Sequence, residues 1–214
     1  MSDVFREVDE AVREDQIKQF MKRYGVLLGA VVVVTVVGIG GWQFWTSWRH
    51  GEQVESSDAY AAAMLAARQG KTPEALEALG KLADPAGGEV GTIAAFAQAR
   101  ILLGEGQRES AIRIWDAIAA NDASGPIYRD VALLLSVMHQ IGQAPAQELS
   151  DRLTPLTGET EPFRPLAQEL QALLALDAGD TGRARTLLEA LRDDPATTSD
   201  QKERVTQLLA GLPG

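Results

Sequence analysis

His50 and His139 are the only histidines in a chain of 214 residues that contains no cysteine. These facts narrow the chemistry at once. A cysteine nucleophile, a thiolate metal site and a disulfide are ruled out in this chain. His139 lies in VALLLSVMHQIG (131–142), a patterned apolar helix where a lone imidazole packs rather than ligates. His50 follows a long apolar run, and no second ligand stands at a spacing that would complete a metal site with either histidine. The glycines of LGEGQRES (103–110) could cradle a phosphate only after a strand, but they open the second helix of a helical pair. Neither G-x-S-x-G nor H-E-x-x-H occurs. RDD (192–194) reads as a solvated helix end, and EPFRP (161–165) as a rigid turn that tucks Phe163 into the core. The acidic residues are scattered, as on a solvated face. No residue is assigned to catalysis, to a cofactor or to a metal. The expectation is a non-enzymatic protein, without cofactor, that acts through its surfaces.

The elements that carry those surfaces are helices. Ala and Leu are abundant and aromatics make up 6% of the chain, a balance that favours helix over sheet. The formal net charge is −10. Such a surface repels phosphate backbones, so nucleic acid is not an expected partner.

The first strong signal is RYGVLLGAVVVVTVVGIGGWQFWTSWRH (23–50), uncharged from Gly25 to Trp45. A bilayer-spanning helix needs about 20 mostly apolar residues. A signal peptide has a shorter run closed by small residues, and TSWRHGEQ (46–53) offers no such cleavage site. The valines Val31 to Val34 leave no polar face, which argues against a buried helix of a soluble domain. The reading is an uncleaved transmembrane helix over 24–45, after a cytoplasmic tail (1–23). Arg6, Arg13, Lys18, Lys22 and Arg23 precede the span, and Arg49 is its one close basic follower. Positive charge stays inside, so the N-terminus is cytoplasmic and the bulk of the chain lies outside. Tyr24 at the inner edge and Trp42, Trp45 and Trp48 at the outer edge form an aromatic belt. Gly25 and Gly29, with Gly38, Gly40 and Gly41, leave shallow surfaces on the span. They suit close packing, either with a second copy in a homodimer or with a larger membrane complex.

In the tail, Val4, Phe5, Val8, Val12, Ile17, Phe20 and Tyr24 recur at near-helical spacing, and charge runs from acidic to basic along it. This describes a helix resting on the lipid surface, or a docking helix for a partner.

After a juxtamembrane linker (46–56), the remainder (57–214) repeats. Ser56, Ser57 and Asp58 are candidate caps for its first helix. RQGKTPEALEALGKLA, GEGQRESAIRIWDAIA and DAGDTGRARTLLEALR superpose on Gly70, Gly106 and Gly179, with a fourth copy around Gly142. The four glycines are 36, 36 and 37 residues apart. Before each of the first three stands a small residue: Ala63, Ala99 and Ala172. After each come Ala75, Ala111 and Ala184, then Leu79, Trp115 and Leu188, then Leu82, Ile118 and Leu191. The Gly142 copy is shifted, so that Ala146 and Leu153 take these roles. A tight turn between antiparallel helices needs a residue that tolerates positive φ. Small residues let the axes approach, and the apolar positions share one face that a single pair cannot bury. Stacked pairs can. TSDQKERVTQLLAGL (198–212) has one apolar stripe, Val205, Leu208 and Leu209, and suits a capping helix that starts at Ser199. The fold expected is all-α: a single N-terminal transmembrane helix, then a solenoid of about four helix pairs and a C-terminal cap.

The period, and the succession of small residue, glycine, alanine and large apolar residue, resemble degenerate tetratricopeptide (TPR-like) repeats, with Trp115 the one aromatic kept at a signature place. VDEAVREDQIKQFMKRYG, a single anchor ending in Gly41–Trp42, and then weak helical repeats resemble the YfgM-type family of ancillary SecYEG translocon subunits. That resemblance implies a bacterial inner-membrane protein with a periplasmic repeat domain that binds proteins. The partners it implies are translocon subunits, exported clients or periplasmic chaperones. Two other readings stay open: a scaffold for envelope or division proteins, and a regulator acting through its cytoplasmic tail.

Overall fold

The computed structural model describes residues 55–83 and 88–212. The tail, the expected transmembrane helix, its glycines and its aromatic belt lie outside the described residues. Among those described, no helix is long and apolar enough to cross a membrane, and there is no strand. Nine α-helices follow one another among the described residues. They are α1 (55–68), α2 (Thr72–Leu82), α3 (Gly88–Gly104), α4 (Arg108–Ala120), α5 (Pro126–Met138), α6 (Ala146–Leu153), α7 (Arg164–Asp177), α8 (Thr181–Asp193) and α9 (Ser199–Ala210). A short 3-10 turn, Thr154–Thr157, extends α6.

Helix starts follow local chemistry. Pro73, Pro126 and Pro165 sit in first turns, where the missing N–H costs nothing. The Asp180 carboxylate accepts from the Arg183 N–H at 2.9 Å, and the Thr198 hydroxyl accepts from the Gln201 N–H at 3.4 Å. The first helix behaves differently from the sequence reading. The chain is already helical at residue 55, so Ser56, Ser57 and Asp58 lie within α1 rather than capping it.

Three of the four helix pairs close by the same turn. Gly70, Gly106 and Gly179 have φ of 76°, 76° and 78°. The Gly70 N–H donates to the Ala67 carbonyl and the Lys71 N–H to Ala66. Gly106 with Gln107, and Gly179 with Asp180, repeat the pattern. This pair of hydrogen bonds around a left-handed residue satisfies carbonyls the helix end leaves open. The third pair departs from it. Gly142 also has positive φ, 74°, but α5 stops at Met138 and α6 waits until Ala146. The longer connection explains why this copy slips against the others. A polar lock compensates across α4, α5 and α6. Arg152 Nη2 donates to Asp116 Oδ1 at 2.6 Å, the Ser136 hydroxyl donates to the same oxygen, and Gln140 Nε2 donates to Ser136 Oγ at 2.8 Å.

The core runs along the stack as four local clusters. Ala63, Leu79, Ala94 and Ala97 join the first pair to the second. Ala99, Ala111, Ile112, Trp115, Ile118 and Ala132 join the second to the third. Val137, Leu149, Leu153, Leu170 and Leu174 join the third to the fourth, with Phe163 packed at the edge. Ala172, Leu188, Leu191 and Val205 seat α9. Each unit buries its apolar face only against its neighbours, the arrangement of a solenoid. Ser56–Gly214 forms one compact unit.

Candidate functional site

Of the repeat positions singled out in the sequence, Ala63, Ala75, Leu79, Ala99, Ala111, Trp115, Ile118, Ala172, Ala184, Leu188 and Leu191 are buried. Leu82 is half-buried and packs on the first cluster. In the shifted copy, Leu153 is buried and Ala146 half-buried. These residues hold helices to one another and present nothing to a ligand.

The surface a partner can reach is on the other side of the first helices. The large exposed apolar residues among those described are Leu65, Ile93, Ile127, Met138 and Leu166. They belong to α1, α3, α5, α5 and α7, each the first helix of its pair. None comes from a second helix. Scattered exposed leucines need no explanation, but a segregated set does.

Two of them, Met138 and Leu166, border a groove at the C-terminal end. A cavity of about 360 Å³ is lined by Val131, Leu134, Leu135 and Met138 of α5, by Phe163, by Leu166, Leu170 and Leu173 of α7, and by Arg204 of α9. A second, about 640 Å³, continues along α7 and α9 past Leu176, Gln207, Leu208 and Leu212. The two share Glu169, Leu173 and Arg204. Apolar concavities of this size with few polar groups are where proteins hold ligands and segments of partners.

The charged groups in the groove are a single pair. Arg204 grips Glu169 with two bonds, Nε to Oε1 at 3.1 Å and Nη2 to Oε2 at 3.0 Å. Gln201 Nε2 donates to Oε2 at 2.7 Å and to the Pro165 carbonyl at 2.9 Å. Glu169 is buried beneath, while the Arg204 side chain is 51% exposed. The carboxylate raises the Arg204 pKa, first by its hydrogen bonds and then by its charge. Nucleophile, base and metal cluster are not part of this site. Among the described residues no group of three carboxylate or imidazole ligands converges.

His139, the remaining candidate for chemistry, stacks on Trp115 with ring centroids 5.0 Å apart and planes 20° from parallel. Burial lowers its pKa, and the Arg108 charge adds to the effect. Trp115 is buried, and its indole N–H meets no acceptor among the described residues. The pair is a packing element at the joint of the second and third repeats.

Sequence reasoning did not single out Met138, Leu166, Glu169, Gln201 or Arg204. A signal was present in α7: PLAQELQALLAL is apolar on more than one face, so one face had to be core and another groove.

A family model described as a tetratricopeptide repeat-like domain matches residues 18–208. No curated protein matches the chain, and no solved structure does.

Proposed function

The chain belongs to the tetratricopeptide repeat-like domain family, and on that premise we propose that it is a membrane-anchored, non-catalytic protein whose repeats hold segments of other proteins. In this reading residues 24–45 span the bacterial inner membrane once, the tail is cytoplasmic and the repeats over 57–214 lie in the periplasm. The repeats assist proteins leaving the Sec translocon, by binding its subunits or by passing exported chains to soluble chaperones. Tethering places the groove at high local concentration beside membrane partners.

One observation carries the protein-binding part: an apolar groove lies between α5, α7 and α9, bordered by the exposed side chains of Met138 and Leu166. The anchor rests on the uncharged run from Gly25 to Trp45 and its basic inner flank. Mild crosslinking in cells, followed by purification of the full chain, tests the whole reading. Recovery of translocon subunits with exported chains is expected. Recovery of division or wall proteins alone would replace the partner assignment with a scaffold. A reporter fused at Gly214 that is active only in the cytoplasm would overturn the topology.

A further inference from the structure

We infer that the groove between α5, α7 and α9 takes a partner helix whose apolar stripe carries one acidic side chain, and that Arg204 receives that acid. The inference rests on the protein-binding reading above and specifies the partner.

The helical form follows from hydrogen bonding. The lining of the two cavities is mostly leucine and other apolar side chains, with Glu169, Arg204 and Gln207 as its polar residues. An extended segment laid there would bring a row of backbone N–H and C=O groups against walls that offer too few partners to pair them. A helix satisfies those groups internally and offers only side chains. Leu166 and Met138, 42% and 43% exposed, are the leucine-type contacts it would cover.

The acid follows from the asymmetry of the ion pair. The Glu169 side chain is 11% exposed and that of Arg204 is 51%. A partner therefore meets more of the Arg204 side chain than of the Glu169 carboxylate. Arg204 uses Nε and Nη2 on Glu169, which leaves Nη1 without a protein acceptor among the described residues. A guanidinium has donors only, so the matching group is an acceptor, and a carboxylate is the strongest. The chain as a whole carries −10, so an acidic partner gains nothing from the overall charge. An acid tolerated at Arg204 thus fixes where along the groove the partner sits.

The test uses three labelled amphipathic peptides of about 18 residues, five helical turns, that differ only in Glu, Gln or Lys at one place in a leucine stripe. They are titrated into the full chain held in lipid nanodiscs, with empty discs as the blank. The glutamate peptide should bind about fivefold more tightly than the glutamine one, and the lysine peptide more weakly still. Exposed Leu166 supplies a charge reversal that leaves the core alone. Leu166→Glu should lose the glutamate peptide, while Leu166→Lys should keep it within about twofold. The double variant Glu169→Gln with Arg204→Gln removes both charges without stranding a buried carboxylate. It should bind the glutamate and glutamine peptides alike. Equal binding of all three peptides to the unaltered chain would overturn the acidic partner and leave the groove standing. Binding to none, or binding indifferent to both Leu166 variants, would overturn the groove and the proposed function with it.

Discussion

Trp115 shows how one side chain joins two repeats. Its indole fills the second cluster from α4 and lies flat on His139, the residue that caps the C-terminal end of α5. Trp115→Ala should cost about 3–5 kcal/mol, the range for emptying a large aromatic site in a core. Chemical denaturation of the variant measures this, and a loss under about 1 kcal/mol would mean the site collapses or was never a core knob. His139 adds a dependence on pH. Burial lowers its pKa below the ordinary 6.5, so the unfolded chain takes up a proton before the folded one does. Its contribution is therefore present above 6.5 and is lost as pH falls from there through the folded value. The titratable neighbour acting on it is Arg108, whose charge works in the same direction. His139→Gln should flatten the fall in melting temperature over that window. An unchanged slope would place the dependence on other groups.

Among the elements, the turn at Gly106 and the helix position Gly104 make a matched pair. Gly106 sits at φ 76°, where a side chain strains the backbone even with open space around it. Gly104 ends α3 in helical conformation with nothing within 4 Å of an added Cβ. Gly106→Ala should destabilise by about 1 kcal/mol, and Gly104→Ala should be neutral or stabilising by up to about 1 kcal/mol. Equal effects in thermal melts would contradict the turn geometry. These turns were legible in the sequence because glycine is nearly the only residue for a left-handed helix end, and its need recurs with the repeat. The third pair was legible only as a slip around Gly142. The lock of Asp116, Ser136 and Arg152 that steadies it joins three helices, and no local pattern marks such a set. The groove was hidden for the same reason. Glu169 and Arg204 are 35 residues apart, and their pairing depends on how α9 settles on the fourth repeat. An exposed leucine such as Leu166 reads in sequence as one more core residue until the stack decides which face is covered.

At the scale of the molecule, the account joins a tether to a binding surface. If the span does more than hold the protein in place, its glycines are where a partner helix fits. Gly25→Leu with Gly29→Leu should then preserve insertion, since length and flanking charge are unchanged, yet weaken co-purification with the membrane complex. Undiminished recovery would make the span a tether only. The central claim, that partners bind in the groove between α5, α7 and α9 and not on the exposed face of α8, is tested most directly by placing a photocrosslinking residue in the full chain in cells. One version carries it at Leu166 in the groove, the other at Glu189 on the exposed face of α8. The account predicts defined adducts from position 166, identified by mass spectrometry as translocon subunits or exported proteins, and none from position 189. The same adducts from both positions, or adducts from 189 alone, would contradict it.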